Sequence, residues 1–310
     1  MVGVDIGCGM LTVELGQCDI DLQKLDGIIK QYVPSGMNVH EGRICKFEKL
    51  YTLHCFRELK DTKRIERSIG TLGGGNHFIE IDADEDGNKY LVIHTGSRNL
   101  GKQVAEYYQD LAYDLLRGKD KLLAEQEALI ADYKAQGRRS ELQQAIKELK
   151  IKYKASDCDI PKDLAYLTGK YKESYLHDMA ICQEYAVLNR YSIAKIILER
   201  ISMLHTLDKN YETIHNYIDL KSNIIRKGAI NADEGTRLLI PLNMRDGCII
   251  GMGKGNPDWN NSAPHGAGRL MSRTRAKQEY TMEQFRDSME GIYTSSVCED
   301  TLDELPMAYN

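Results

Sequence analysis

The chain has 310 residues, of which 42% are hydrophobic and 28% are charged, and its formal net charge at pH 7 is −5. This composition excludes a largely disordered chain, and the length allows one large domain or two small ones. Because the balance is acidic, any nucleic-acid contact must come from a local basic surface. The sequence has no run of about 18 apolar residues and no signal-like N-terminus, so we expect a cytoplasmic protein with no membrane contact.

The first predicted elements are a turn and a helix. Residues 1–10 have the pattern of a strand end that enters a glycine-rich turn. Asp21 is a typical helix cap, and the helix that follows it should stop near Pro34 and Gly36. Its apolar residues recur at helical spacing, at Leu22, Leu25, Ile28, Ile29 and Tyr32.

A β-hairpin is predicted next. Residues 78–82 and 89–93 have strand patterns, and Asp86-Gly87 between them is a strong turn signal. Asp82 and Asp84 also resemble the opening of a calcium loop, but Ile93 stands where that loop needs its bidentate glutamate. A hairpin turn explains these carboxylates better.

Residues 103–205 are predicted to be almost wholly helical. Within residues 117–154, ten Lys or Arg stand against six Asp or Glu, a balance of +4, so we expect a projecting helical hairpin. Ser140 and Gln143 have the spacing of a capping box. The hairpin is either a solvated insertion or an arm that grips RNA, and Arg190 either contacts RNA phosphate or forms a surface ion pair. After Asn223 short β-like runs return, at 237–241 and 248–252.

Five residues are candidate metal ligands. Asp5 and Cys8 lie three apart in a glycine-rich segment, and the hairpin would bring His77 and His94 side by side, while His215 stands before a basic stretch. Such a set suits Mn²⁺, Zn²⁺ or Fe²⁺ better than Mg²⁺, and two ions sharing the thiolate are chemically reasonable. The alternative is five separate residues, each satisfied locally. Four other histidines, at positions 40, 54, 177 and 205, are expected to be structural or exposed.

The remaining cysteines carry no metal-binding pattern. The eight cysteines form no CxxC pair and stand at positions 8, 18, 45, 55, 158, 182, 248 and 298. Apart from Cys8, we expect most of them to be buried thiols in a reducing compartment.

His265 lies among small residues and is a candidate nucleophile. Gly266 and Gly268 would allow positive φ and close approach of a phosphate, and Arg269 would offer a forked donor to its oxygens. Imidazole is a known covalent nucleophile in group transfer. A tight turn that holds a histidine is the alternative.

Five segments together resemble the RtcB family of RNA ligases. They are VDIGCG at 4–9, GTLGGGNHFIE at 70–80, HTGSR at 94–98, His215-Asn216 and HGAGRLMSR at 265–273. Residues 303–309 are similar to a family segment as well. The sequence PLNMRDG at 241–247, in place of the commoner PGSMG, resembles the branch associated with a peptide release factor homologue.

The resemblance implies a GTP- and Mn²⁺-dependent ligase that joins RNA 3′-phosphate or 2′,3′-cyclic phosphate ends to 5′-hydroxyl ends, in RNA repair or tRNA splicing. His265 would attack the α-phosphorus of GTP, and the GMP would pass to the RNA 3′-phosphate before the 5′-hydroxyl displaces it. Asp5, Cys8 and His77 would hold one manganese, and Cys8, His94 and His215 the second.

The resemblance also implies a nucleotide pocket and a fold. The pocket would be formed by Asn76, His77, Phe78, Ile79, Glu80, His215, Asn216, Pro241, Leu242, Asn243, Met244, Gly266, Ala267 and Gly268. Cys248 stands where the family has a serine and is discounted as a weak hydrogen-bond partner. The fold should be α+β, one domain over residues 1–310 with a central mixed β core and a helical insertion.

The family has further sequence before the Asp5–Cys8 segment and beyond Asn310, including a lysine that contacts guanine. We therefore expect a fragment or a compact variant, with an exposed sheet edge and reduced stability. Two alternatives to a ligase stay open, a two-metal phosphoesterase and an inactive RNA-binding remnant.

Overall fold

The computed structural model describes residues 3–153 and 159–309. Eight α-helices occur in this part of the chain: α1 Leu22–Tyr32, α2 Thr62–Arg67, α3 Arg98–Asp114, α4 Asp120–Ala135, α5 Leu142–Lys152, α6 Gly169–Arg200, α7 Arg273–Glu279 and α8 Met282–Ser288. Ten strands accompany them: β1 Gly9–Gln17, β2 Phe78–Ala83, β3 Asn88–Thr95, β4 Asn210–Ile214, β5 Asn216–Asp219, β6 Ile224–Lys227, β7 Ala229–Asn231, β8 Arg237–Asn243, β9 Gly247–Met252 and β10 Ser262–Pro264.

The strands form one four-stranded sheet, in the order β2-β3-β1-β4, and three two-stranded ribbons, β5-β6, β7-β10 and β8-β9. The predicted α+β class is confirmed. The β core differs from a mixed sheet, because the named strands pair antiparallel and the parallel pairing seen among the described residues is the isolated bridge between Ser35 and Gly73.

The central strand β3 is buried on both faces. Leu91 and Ile93 pack with Ile193 and Ile197 of α6, whereas Val92 packs with Leu239 of β8 on the opposite face. Side chains alternate between the faces of a strand, so His94 lies on the same side as Val92. This alternation directs His94 away from α6 and toward the ribbons.

Local signals account for the elements that the sequence predicted. Asp21 caps α1 by accepting a hydrogen bond of 2.9 Å from the Lys24 amide. In the β2–β3 hairpin Asp84 accepts from the amides of Asp86 and Asn88, and Gly87 has φ of +80°. The turn thus uses the Asp84 carboxylate, as expected, and β8 and β9 also form where β-like runs were predicted.

Two local predictions are wrong. Residues 4–7 form a turn that enters β1, instead of a strand that ends in a turn, because the backbone from Gly9 pairs with both β3 and β4. The capping box at Ser140 does not form. α5 begins at Leu142 after Glu141, whose carboxylate binds Arg138 instead.

The helical segment contains α3, α4, α5 and the long helix α6. Helix α4 follows α3 through a π-helical turn at Leu115–Lys119, where Gly118 has φ of +88°, and it packs against α5. Lys154, the last residue of the predicted hairpin, lies outside the described residues, and the role of this pair stays a prediction. None of the helices in the described segments is long and apolar enough to cross a membrane.

The seven described cysteines are free thiols. Cys8, Cys55 and Cys182 are buried, and Cys298 is exposed. Cys158 lies outside the described residues.

Candidate functional site

The five predicted metal ligands meet at one edge of the four-stranded sheet. Asp5 and Cys8 lie in the turn before β1, and His77 directly precedes β2. His94 lies near the end of β3, and His215 lies between β4 and β5. Because β2, β3, β1 and β4 are successive antiparallel neighbours, these positions fall at the same edge.

Their donor atoms are close together. The separations are 3.0 Å for Asp5 Oδ2 to His77 Nε2, 3.5 Å for Cys8 Sγ to His77 Nε2, 3.4 Å for Cys8 Sγ to His94 Nε2, and 3.4 Å for His94 Nε2 to His215 Nε2. The contacts therefore run from Cys8 in two directions, through His77 to Asp5 and through His94 to His215.

Backbone carbonyls orient two of the imidazoles. His77 Nδ1 donates to the Leu72 carbonyl and His94 Nδ1 to the Asn76 carbonyl, each at 3.0 Å. A carbonyl oxygen only accepts, so in the neutral ring the Nε2 lone pair points at Cys8. Holding a histidine in this tautomer is the usual supporting interaction at metal sites.

This arrangement fits divalent cations. With metal–ligand bonds of about 2.0–2.3 Å, ligands of one ion lie roughly 3–4 Å apart, as these atoms do. Lone pairs of Nε2, Sγ and Oδ2 face each other, which is unfavourable without a cation or a shared proton. Cys8, His77 and His94 in particular form a compact group able to hold an ion.

The surroundings of His94 and His215 keep their imidazoles neutral. Burial and the neighbouring histidines hold the pKa of His94 well below its usual range. Burial, together with His265 and Arg190, lowers the pKa of His215 to about 3. Both rings are therefore neutral at physiological pH, the form that binds metal.

The pKa values of Cys8 and Asp5 shift in opposite directions. Burial and the Asp5 carboxylate raise the pKa of the Cys8 thiol well above its ordinary value, and only Arg190 and a backbone bond oppose this. Burial would also raise the pKa of Asp5, but the hydrogen bond and charge of His77 outweigh it and the pKa is lowered. A bound divalent cation would favour the Cys8 thiolate, because metal binding displaces the ligand proton.

Close backbone packing holds the Asp5–Cys8 turn in place. A Cβ on Gly96 would lie 2.2 Å from Asp5 Oδ1, so a larger residue there would push the Asp5 carboxylate out of its place. The Asn216 side chain donates to the Asp5 carbonyl at 2.6 Å and accepts from the Gly3 amide at 3.1 Å. Asn216 thus holds the backbone beside the predicted metal ligand Asp5.

His265 lies next to this cluster. It is half-buried at the end of β10, and its ring centroid is 4.9 Å from that of His215. A Cβ on Gly228 would be 3.5 Å from His265 Cε1, an ordinary van der Waals distance, so the φ of +70° is what favours glycine at 228. The predicted nucleophile and the predicted ligands therefore form one site.

The loop after His265 packs against β8. The Ala267 amide donates to the Pro241 carbonyl at 2.9 Å, and a Cβ on Gly266 would lie 3.3 Å from that carbonyl oxygen. Gly266 and Gly268 do not have positive φ, contrary to our expectation. Close approach of two backbones, rather than a left-handed conformation, explains the glycine at 266.

Arg269 does not offer its guanidinium to a ligand as predicted. It donates to Glu304 at 3.1 Å and to the Tyr309 hydroxyl at 2.7 Å, and also to the Asp303 carbonyl. These contacts tie the His265 loop to residues 303–309. With three acceptors nearby, the guanidinium finds its hydrogen-bond partners inside the protein.

A second group of titratable side chains lies on β2 and β9. The Cys248 thiol donates to Glu80 Oε1 at 3.1 Å, and Asp82 lies beside them. Burial and the Asp82 carboxylate raise the pKa of Glu80 to about 8. Cys248 thus bonds inside the protein, and its part in a nucleotide pocket stays untested. Asp82 belongs to this group and not to the hairpin turn. The i, i+2 spacing of Glu80 and Asp82 on one strand face was the available signal.

The other residues assigned to a nucleotide pocket have varied positions. Phe78 packs edge-on against His94 at 5.2 Å, whereas the Ile79 side chain packs into the core beside α6. Asn243 bonds within its own turn, to Arg245 and Asp246. Asn76 and Gly268 are exposed, whereas Leu242 and Ala267 are half-buried. Met244 packs against the cluster of α7 and α8.

The remaining histidines are structural or exposed, as expected. His54 and His177 stack at 4.4 Å, and the buried Asp178 carboxylate beside them already accepts from His177, Tyr108 and two backbone amides. His40 bonds the Gly70 carbonyl and His205 is exposed.

Arg190 is wholly buried, so the predicted RNA phosphate contact is wrong. Its guanidinium donates to the carbonyls of Gly7 and Thr95 and to the Glu212 carboxylate. Its place on α6 among buried Asn189 and Ile193 was the sequence signal that was missed.

Comparison with known proteins agrees with this geometry. A family model described as tRNA-splicing ligase RtcB matches residues 54–310. The chain is 29% identical to RNA-splicing ligase RtcB of Escherichia coli K12, over 99% of this chain and 76% of that protein. It is 27% identical to tRNA-splicing ligase RtcB of Aeropyrum pernix, over 80% of this chain and 54% of that protein, and 24% identical to the Archaeoglobus fulgidus protein of the same name, over 99% and 74%.

The family match covers more than half of the chain and includes His77, His94, His215 and His265. These four histidines are the ones that the structure gathers with Cys8 at the sheet edge. The chain therefore belongs to the RtcB family of RNA ligases.

Proposed function

We propose that the chain seals RNA breaks by joining a 3′-phosphate or 2′,3′-cyclic phosphate end to a 5′-hydroxyl end with GTP. The names of its relatives describe ligases of tRNA splicing. The observation that carries the proposal is the position of His265, whose ring lies 4.9 Å from His215 and thus beside the donor cluster. Hydrolysis by a metal-bound water would need no such imidazole.

The chemistry divides between His265 and its surroundings. A ring nitrogen of His265 attacks the α-phosphorus of GTP, a P–N bond forms, and pyrophosphate leaves. Where the RNA end is a 2′,3′-cyclic phosphate, water first opens the ring at the 2′-oxygen to leave a 3′-phosphate. An oxygen of the RNA 3′-phosphate then takes the GMP and frees the histidine. Attack by the 5′-hydroxyl on the activated 3′-phosphate forms the phosphodiester and releases GMP.

Two manganese ions are the cofactors we propose. Asp5, Cys8 and His77 would hold one, and Cys8, His94 and His215 the other, in line with the two directions in which contacts run from Cys8. When bound, the ions offset phosphoryl charge and favour in-line displacement.

The protein would contribute binding, orientation and exclusion of water. The loop Gly266–Gly268, packed on Pro241, leaves backbone open beside His265 for a nucleotide. Glu80, with its pKa of about 8, is protonated at neutral pH and could share hydrogen bonds with a base edge. We also propose a functional link to a release factor homologue, which rests on the sequence at 241–247 alone.

Intact mass spectrometry after incubation with GTP and Mn²⁺ tests the first step. We expect a mass gain of one GMP in the parent protein and none in His265→Ala, with His205→Ala, an exposed histidine outside the site, as the matched control. A folded, manganese-loaded parent that gains no GMP would contradict the proposal and favour a phosphoesterase or an RNA-binding protein.

A further inference from the structure

One guanidinium contacts three of the segments that carry the donor cluster. Arg190 Nη1 donates to the Gly7 carbonyl at 2.8 Å and to the Thr95 carbonyl at 2.9 Å, while Nε donates to Glu212 Oε1 at 2.8 Å. Gly7 precedes Cys8, Thr95 follows His94, and Glu212 lies on β4 three residues before His215.

We infer that Arg190 is a positioning residue that sets the spacing of Cys8, His94 and His215, and so determines how tightly this trio binds manganese. The inference rests on the proposed function, because that function requires ions at these ligands. Arg190 itself touches neither an ion nor a substrate.

The geometry favours arginine over other residues at this place. The side chain is 0% exposed, so each donor that it loses leaves a buried acceptor without a partner. A guanidinium presents its donors in a rigid planar fork, and here one nitrogen joins a carbonyl of the turn before β1 to a carbonyl at the end of β3. Lysine has one flexible nitrogen and cannot make the same three contacts at once.

The charge of Arg190 acts in two opposite ways, because it favours the Cys8 thiolate but repels a bound cation. A variant that keeps the charge separates its effect from that of the geometry. Arg190→Lys keeps the positive charge and loses the fork, so a metal-binding defect in this variant must come from the spacing of the ligands.

Arg226 provides a matched control. It is also buried, with 1% of its surface exposed, and it donates to Ser262, Tyr217 and Asn231 in the β5-β6 and β7-β10 ribbons. Arg226→Lys should lower thermal stability through the same loss of buried hydrogen bonds, but it leaves the contacts to Gly7, Thr95 and Glu212 intact.

The test is manganese binding to metal-free protein, measured by calorimetry and by the electron paramagnetic resonance signal of free Mn²⁺, at a temperature where every variant is folded by circular dichroism. We expect Arg190→Lys to bind at least one ion ten-fold or more weakly than the parent, and Arg226→Lys to bind like the parent. Glu212→Gln, which keeps an acceptor for Nε but loses its charge, should give a smaller loss and serves if Arg190→Lys does not fold.

Three results would overturn the inference. Binding by Arg190→Lys within two-fold of the parent would show that the fork is not needed, and parental binding by Glu212→Gln would show the same if Arg190→Lys does not fold. An equal loss in Arg226→Lys would show that general loosening is the cause. If the parent protein itself binds no manganese, the proposed metal centre fails together with the inference about Arg190. If the parent binds manganese and Arg190→Lys binds it equally well, only the inference about Arg190 fails.

Discussion

Glu80 shows how burial changes the chemistry of a single residue in this protein. Its carboxyl lies beside Asp82 and accepts from Cys248, and its pKa is raised from 4.5 to about 8. In the unfolded chain Glu80 loses its proton near pH 4.5, so between that pH and about 8 the folded state binds more protons. Stability contributed by this group is present below pH 4.5 and is lost as the pH rises through 8.

We therefore predict that Glu80→Gln removes a loss of stability that the parent shows between pH 6.5 and 8. The slope for one such group is up to about 1.4 kcal/mol per pH unit. Urea unfolding at several pH values measures it. The unfolded imidazole of His215, with an ordinary pKa of 6.5, titrates at the lower end of this window, but it adds the same slope to the parent and the variant. Glu66→Gln is the control, because the Tyr51 hydroxyl lowers the pKa of Glu66 and it stays ionised there. Equal slopes in the parent and Glu80→Gln would contradict the prediction.

At the scale of elements, close contact between β1 and β4 positions the metal ligands. A Cβ on Gly9 would lie 2.6 Å from the Thr213 carbonyl oxygen and 2.7 Å from Ile214 Cα. Backbone atoms do not move aside as a flexible side chain does, so any larger residue at position 9 must separate the two strands. His215 follows β4 directly and would move with it.

We predict that Gly9→Ala lowers the free energy of unfolding by about 1–3 kcal/mol through this overpacking and also weakens manganese binding. Gly27→Ala is the opposite case, because position 27 lies inside α1 with open space around it, and we expect it to raise stability by about 0.5–1 kcal/mol. Denaturant unfolding of both variants checks the two signs. A stable Gly9→Ala protein would show that the strands separate at little cost.

Whether an element could be predicted depended on how local its cause is. Asp21 caps α1 and Gly87 closes the β2–β3 turn through atoms a few residues away, so both elements were readable in the sequence. The predicted capping box at Ser140 failed because α5 begins at Leu142, so that Glu141 and not Ser140 is the residue before the helix. Arg190 was misread because burial of an arginine depends on acceptors that are 22 to 183 residues distant in the chain.

At the scale of the whole molecule, metal binding should couple to stability, since the donors come from the turn before β1, the residue before β2, the end of β3 and the residue after β4. A ligand that binds only the folded state adds about 2.7 kcal/mol at 100 times its Kd. We predict that Mn²⁺ raises the Tm of the metal-free protein in a concentration-dependent way, that EDTA reverses this, and that Cys8→Ser largely abolishes it.

Cys298→Ser is the matched control for that experiment, because Cys298 is an exposed free thiol away from the sheet edge. Thermal scans of the three proteins across a range of Mn²⁺ concentrations give the result. A Tm that does not respond to Mn²⁺ in the parent would argue against a centre built from these strands.

The sequence alone determined the residue types of the site and the family, because five short motifs carry the chemistry in their own side chains. It also determined the elements whose caps and turns are local. Only the tertiary structure decided that Cys8 Sγ lies within 3.5 Å of both His77 and His94, that His265 lies beside His215, and that Cys248 bonds Glu80 beside Asp82. These contacts join residues up to 168 positions apart, and the order and register of the strands, which no local pattern encodes, bring them together.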